Sequence, residues 1–332
     1  IESSCDDTSA AVIRERRLLS NVIAGQEVHR KYGGVVPEVA SRKHKENISS
    51  VVMAALNDGQ KTFDEIDAIA VTKGPGLVGA LLVGVSYAKG LALSLNVPFV
   101  GVHHIDGHIS SNYITHSALK PPYLSLVVSG GHSLIAECLD YGEYIILGTT
   151  RDDAAGEAFD KGARLMGLPY PGGREIDELA KLGDAQKIDF PRARLKGNQL
   201  DFSFSGVKTA LMQHIAKEGK ENLKLNINDI AASYQEAIVD ALVKNTKVAL
   251  RKTGHKVLSI AGGVAANSRL REAMQEMCAQ EGVTLYLPEI IYCGDNAAMI
   301  GTAGYYMLKN KNYGSLGMNA LSYIQLGESK CL

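Results

Sequence analysis

The feature that most constrains this chain is a plan that occurs twice. Residues 1–25 read as strand, turn, strand, hairpin, strand: Ser3-Ser-Cys-Asp-Asp-Thr8 is the first turn, Ala10-Ala-Val-Ile13 a strand, Arg14-Glu-Arg-Arg17 a charged hairpin and Leu18-Leu-Ser-Asn-Val-Ile23 the next strand. Near Pro122 the plan starts again, with Leu124-Ser-Leu-Val-Val128, the turn Ser129-Gly-Gly-His132, then Ser133-Leu-Ile-Ala-Glu-Cys138 and Tyr144-Ile-Ile-Leu147. The repeat lies in how apolar runs alternate with small-residue turns, not in residue identity. Two such units in 332 residues imply two related α/β domains facing a cleft, with the boundary near residues 116–121.

Composition narrows the class. The chain is 45% hydrophobic and 21% charged, with 34 glycines and no tryptophan, which suits an α/β protein with many tight strand-to-helix turns. By apolar run length no segment is expected to span a bilayer, and no basic-then-apolar leader opens the chain. It opens instead at Ile1-Glu-Ser-Ser, which reads as the end of a strand and implies that a few residues are missing before it. Five cysteines, Cys5, Cys138, Cys278, Cys293 and Cys331, are scattered without a CxxC pair. A disulfide framework or zinc ribbon is therefore not expected, and a reducing compartment fits best. With a net charge of −1 the whole chain exerts no electrostatic pull on nucleic acid, so an RNA partner needs a local basic patch. Arg192, Arg194, Lys196 and Lys208 around Phe202 and Phe204 offer such a patch, or else a solvated loop.

The chemistry-bearing stretches follow in order. Gly34-Val-Val-Pro-Glu-Val-Ala-Ser-Arg42 feeds a helix, and Gly74-Pro-Gly-Leu-Val-Gly79 is a glycine-rich turn opening another helix to about Leu95. Such a turn can present backbone N–H groups to an anion, although glycine also serves close helix packing. In Gly101-Val-His-His-Ile-Asp-Gly-His108 a buried strand meets a helix, and His104 and His108 then share one face four residues apart. Two histidines are half a metal site, and spacing alone names no third ligand. Residues 151–166 read as a helix entered through acidic residues, residues 175–182 as a short helix, and residues 228–253 as a long amphipathic helix capped by Asn228. Lys256-Val-Leu-Ser-Ile-Ala261 followed by Gly262-Gly-Val-Ala-Ala-Asn267 is the best nucleotide turn in the chain. Asp295 is expected to cap a last helix rich in small residues.

Together these motifs suggest the actin/Hsp70/sugar-kinase (ASKHA) architecture, and their sequence resembles one family in particular. Ile1-Glu-Ser-Ser-Cys-Asp-Asp-Thr8, His104-Ile-Asp-Gly-His108, Val128-Ser-Gly-Gly-His132, Asp152-Asp-Ala-Ala-Gly-Glu-Ala-Phe-Asp-Lys161, Tyr170-Pro-Gly-Gly173, Phe202-Ser-Phe-Ser-Gly206, Gly262-Gly-Val-Ala-Ala-Asn267 and Gly294-Asp-Asn296 resemble the tRNA N6-adenosine threonylcarbamoyltransferase family (TsaD, also Gcp or YgjD). The Ser-Gly-Gly-His form resembles its bacterial branch, and Asp7 stands where many relatives carry Glu. The resemblance implies an ASKHA fold with residues 1–118 and 294–332 as one lobe and 119–293 as the other. It implies a metal, iron(2+) first and zinc(2+) second, held by His104, His108 and Asp295. It also implies that threonylcarbamoyl-AMP meets Val128, Ser129, Gly130, Gly131 and His132 through its acyl and phosphate part, and Asp160, Gly173, Asp177 and Asn267 through its adenosine.

The implied reaction moves the threonylcarbamoyl group to N6 of adenosine 37 in tRNAs reading ANN codons and releases AMP. Proton acceptors to choose among are Asp6, Asp7, Glu38 and the leaving phosphate. The implied partners are the inactive paralogue TsaB and the ATPase TsaE, with TsaC supplying the adenylate, all in the cytoplasm and without a membrane. A small-molecule kinase of the same fold would not need the histidine pair. A dead scaffold would not keep it together with Asp295. A zinc peptidase needs Glu directly after the first histidine, where this chain has Ile105.

Overall fold

A computed structural model describes residues 1–193 and 195–327, so Arg194 and Cys331 of the sequence reading lie outside the described residues. The chain divides into two compact units: Ile1–Pro122 with Cys138–Ile145 and Pro288–Leu332, and Tyr123–Glu137 with Ile146–Leu287.

In the first unit β1 (Asp7–Arg14) and β2 (Arg17–Gly25) form an antiparallel hairpin with a register shift between Val12 and Ile13. Ile1 and Glu2 lie between this hairpin and the next strand. The Ile1 amino group donates to Ala70 O, Thr72 N donates to Ile1 O, and Glu2 bridges Ser9. α1 (Pro37–Asp58) starts on a proline, whose missing N–H is no loss at that position. β3 (Ile69–Gly74), α2 (Val78–Leu95) and β4 (Phe99–His103) make a parallel crossover unit. Its core is Ile69, Val71, Leu81, Val85, Ala88 and Phe99. α2 is long and apolar enough to cross a membrane by length and composition, contrary to the sequence expectation that no run qualifies. In the structure one of its faces, with Leu81, Val85, Ala88 and Ala92, fills this core, while Val78, Leu82 and Leu93 are exposed. α3 (His104–Thr115) follows β4 with no loop, and α8 (Ala297–Lys309) packs against α3, β1 and β3.

The second unit is built on a sheet of order β7-β6-β5-β8-β9, from β5 (Tyr123–Val128), β6 (Ser133–Asp140), β7 (Glu143–Thr149), β8 (Val257–Ala261) and β9 (Thr284–Tyr286). β5, β8 and β9 run parallel, and all six residues of β5 are buried. Its helices are α4 (Ala155–Leu165), α5 (Gly172–Ala180), α6 (Ser205–Thr253) and α7 (Ser268–Glu281).

Three local expectations change. The long helix begins at Ser205 rather than Asn228, because Val207 and Leu211 already find the core, and it is interrupted at Gly219 (φ 75°). Asn228 is therefore internal and caps nothing. Asp295 is not the cap of α8; Asn296 is, accepting from Met299 N at 3.0 Å. The basic-aromatic stretch is no stacking surface: Phe202 and Phe204 are each 1% exposed. Arg192 is held by Asp240 and Asp189, and Lys208 by Asp153.

Candidate metal centre and nucleotide turns

The metal-type cluster lies within the first unit, where β4 turns directly into α3. His103 forms the junction, its Nδ1 accepting from Ile105 N at 3.1 Å. His104 then occupies the first helical turn and His108 the next, with ring centroids 4.6 Å apart and nearly perpendicular planes. Gly107 between them lets α8 approach, since a Cβ there would sit 2.6 Å from Ile300 Cδ1. The turn before α8 brings Asp295 Oδ1 to 3.5 Å from His104 Nε2 and 3.2 Å from His108 Nε2. One ligand atom from each of the three residues lies within 4.8 Å of the others. Ligands about 2.1 Å from a common ion would be separated by about 3.0–3.4 Å along tetrahedral or octahedral edges, so the two Asp295 spacings are close to those of a shared divalent metal. A second observation points the same way. His108 is fully buried, yet its Nδ1 has no hydrogen-bond partner among the described residues, and its Nε2 faces Asp295. A buried polar atom of that kind is costly unless something else satisfies it.

The surroundings are acidic and partly to fully buried. Glu2 is buried beside His104, with Oε2 3.4 Å from Nδ1. Burial disfavours both charges, but the attraction between them wins: the Glu2 carboxyl is held below its usual range, and Asp295 with Glu2 holds His104 up at about 9. Burial pushes His108 down. The Cys5-Asp6-Asp7 turn is anchored by His44 of α1, whose Nε2 pairs with Cys5 O at 2.9 Å and Nδ1 with Thr8 Oγ1 at 2.8 Å. Burial, then Asp295, Asp6 and Glu2, push Asp7 up to about 7. Burial, then Asp6, Asp295 and Asp7, push the Cys5 thiol up as well, which makes it a poor nucleophile. Glu38 differs from its rivals: it is exposed on α1 and paired with Arg42 at 2.7 Å.

The remaining expected site residues belong to the second unit: Val128–His132 and Asn267 follow the carboxyl ends of parallel strands β5 and β8, where ligands of open α/β sheets bind, while Asp160 lies on α4 and Gly173 and Asp177 on α5. Ser129 closes its turn by donating from N to His132 O at 2.8 Å, and its Oγ accepts from His132 N at 3.2 Å. Gly130 and Gly131 are exposed, with open space where a side chain would stand. Gly262 has φ 93°, and a Cβ there would run into Val128 O, so only glycine lets the ends of β5 and β8 lie this close. Asp160 accepts from Gly172 N at 2.7 Å, fixing the start of α5 beside Gly173, rather than pairing with Lys161, which is held by Asp153 and Glu157. Asp177 accepts from Ser268 N and Oγ, while Asn267 caps α7 and donates to Gln235 Oε1 at 2.6 Å.

Sequence reasoning did not single out Glu2, Thr72 or His44. Glu2 makes its contacts 70 and 102 residues away, to Thr72 and His104, where no spacing rule reaches.

Comparisons with known proteins agree with this architecture. The tRNA N6-adenosine threonylcarbamoyltransferase family, TsaD, matches residues 17–302. The chain is 54% identical over 331 residues to the protein of that name from Clostridium botulinum strain 657, covering 99% of this chain and 97% of the relative. It is 52% identical over 330 residues to that from Clostridioides difficile strain 630, covering 99% and 98%. Among solved structures it is similar to HypF of T. kodakarensis (TM-score 0.61, 15% identity, 97% of this chain and 49% of that one). It is also similar to component A of the Acidaminococcus fermentans (R)-2-hydroxyglutaryl-CoA dehydratase (TM-score 0.55, 12% identity, 94% and 96%). At such identities these likenesses speak for the fold, which is the actin-like class anticipated from the repeated strand plan.

Proposed function

The chain belongs to the tRNA N6-adenosine threonylcarbamoyltransferase family, and we propose that it performs that acyl transfer with a metal-binding corner in its first unit and nucleotide-binding turns in its second. It is an acyltransferase with tRNA as substrate. We read each unit as one lobe of the actin-type fold. The donor is threonylcarbamoyl-AMP, and the acceptor is N6 of adenosine 37 in tRNAs reading ANN codons. N6 attacks the carbamoyl carbon, the bond from that carbon to the phosphate oxygen breaks, and AMP departs with the electron pair.

The observation that carries the proposal is the convergence of His104, His108 and Asp295 in a chain of this family. They would hold iron(2+), or zinc(2+) as the second choice. Such an ion supplies electrostatic stabilisation of charge developing on the donor's oxygens. In the second unit the open backbone of Gly130 and Gly131 is suited to the phosphate, while Asp160, Gly173, Asp177 and Asn267 would frame the adenosine. The attacking amine must lose a proton. Of the acceptors open to the sequence, Asp7 is the one whose carboxyl burial and its acidic neighbours, Asp295 first, make more basic than usual, which suits a proton acceptor. Glu38, exposed and paired with Arg42, is the weakest of them.

The family assigns TsaB and TsaE as working partners, and the scattered cysteines suit the cytoplasm. The test is incubation of the full chain, with those partners, threonylcarbamoyl-AMP and unmodified tRNA, followed by nucleoside analysis. Threonylcarbamoyladenosine is the expected product. Its absence, with ATP turnover on small substrates instead, favours the kinase reading.

A further inference from the structure

The two histidines of the cluster are supported unequally. His108 Nδ1 has no hydrogen-bond partner. His104 Nδ1 faces Ser4 Oγ at 3.2 Å and Glu2 Oε2 at 3.4 Å. Glu2 itself is 0% exposed and pinned at both oxygens, Oε1 accepting from Ser4 N and Oε2 from Thr72 Oγ1. A buried carboxylate fixed this firmly has a structural task or a task toward its neighbour, and the neighbour is a proposed ligand.

We propose that Glu2 is the positioning residue of the metal centre: it holds the proton of His104 on Nδ1 and so keeps Nε2 free to ligate beside Asp295. The serine hydroxyl cannot make this choice, because it donates or accepts equally well. A carboxylate can only accept, so with Glu2 present Nδ1 is the protonated nitrogen, and the ring orientation follows. Glu2 also contributes to the charge balance. With Asp295 and two neutral imidazoles as ligands, Glu2 is one of the nearby carboxylates, with Asp6 and Asp7, that would offset a divalent ion.

Glu2→Gln tests this sharply, because the substitution should invert the tautomer. Ser4 N is an unambiguous donor and will claim the single amide oxygen. The amide NH2 then faces Thr72 Oγ1 and His104 Nδ1, where it needs an acceptor. Nδ1 becomes that acceptor, the ring proton moves to Nε2, and the ligating lone pair is lost. The inference rests on His104 being a ligand, so His104→Ala is measured in parallel.

The full chain is loaded with cobalt(2+), and affinity is read by competition with a chelator. Glu2→Gln should weaken cobalt binding about 10–100-fold, the range for lost outer-sphere partners of metal-bound histidines, and change the visible spectrum of the bound ion. Thr72→Val leaves the carboxylate facing His104 and should keep wild-type affinity and spectrum. Wild-type affinity and spectrum in folded Glu2→Gln overturn the proposal, as does equal weakening in Thr72→Val, the mark of a merely structural role. Undiminished cobalt binding in His104→Ala overturns the ligand reading itself. Should Glu2→Gln fail to fold, nitrogen-15 histidine spectra of the zinc-loaded wild type decide. A protonated Nδ1 with a metal-shifted Nε2 at His104 supports the proposal, and the reverse pattern overturns it.

Discussion

The two groups of candidate residues are built on opposite principles. In the first unit the cluster is left unbalanced by the protein: His108 Nδ1 has no hydrogen-bond partner among the described residues, and Asp295, Asp6 and Glu2 press on Asp7. In the second unit most side chains singled out by sequence are satisfied by the protein itself. Asp177 is held by Ser268, Asn267 by Gln235 and Leu270 N, and Asp160 by Gly172 N. What stays open there is backbone, at Gly130 and Gly131. The first arrangement is compatible with a metal ion, and in the second the side chains are already tied to the protein. Substitutions should therefore separate: in the first unit they should cost activity and metal while sparing stability, and in the second they should cost stability as well.

The largest effect falls on the ligands. His108→Ala and Asp295→Ala should abolish tRNA modification and metal binding, while metal-free His108→Ala melts no lower than metal-free wild type, since a buried ring nitrogen without a hydrogen bond has been removed. A lowered melting temperature in His108→Ala would break the contrast.

Next comes the second unit. Gly262→Ala must accommodate a Cβ against Val128 O in a left-handed backbone conformation. It should cost more than about 1 kcal/mol in denaturant unfolding. Asn267→Ala removes a cap and a buried hydrogen bond. It should lower stability by about 1–2 kcal/mol together with activity.

A smaller effect concerns pH. Asp7 is raised from 3.8 to about 7 by burial and its acidic neighbours. Between those values the folded chain keeps a proton that the unfolded chain has released. Stability of the metal-free protein should therefore fall as pH rises through that window, with no penalty below it. Asp7→Asn should flatten that part of the profile and leave the metal-free protein more stable than wild type at pH 8. A bound cation beside Asp295 should reduce the slope, because it favours the ionised carboxylate. The smallest effect belongs to Glu38→Ala. Its exposed pair with Arg42 is worth about 0.3–0.5 kcal/mol, so stability should barely change. Transfer should persist, whereas its loss would return Glu38 to the acceptor role.

The same contrast explains what could be read from the sequence. Period and turn chemistry were enough for the strands of both units, for α2 up to Leu95 and for the glycine turn after β8, because these depend on neighbours in the chain. The i, i+4 relation of His104 and His108 was legible for the same reason. Asp295 could be joined to them only through the family resemblance, since 187 positions separate it from His108. Glu2 was invisible as a supporting carboxylate: its partners come from three different elements, and burial, not spacing, decides its role. Where propensity misled, tertiary contacts won. Phe202 and Phe204 looked like stacking aromatics among basic residues but were needed in the core.

The most direct measurement is transfer of label from threonylcarbamoyl-AMP to tRNA by the full chain with its partners, before and after chelation. The account predicts that metal-stripped protein transfers nothing, that iron(2+) or zinc(2+) restores transfer, and that neither does so for His108→Ala. Full transfer by the stripped wild type would contradict it.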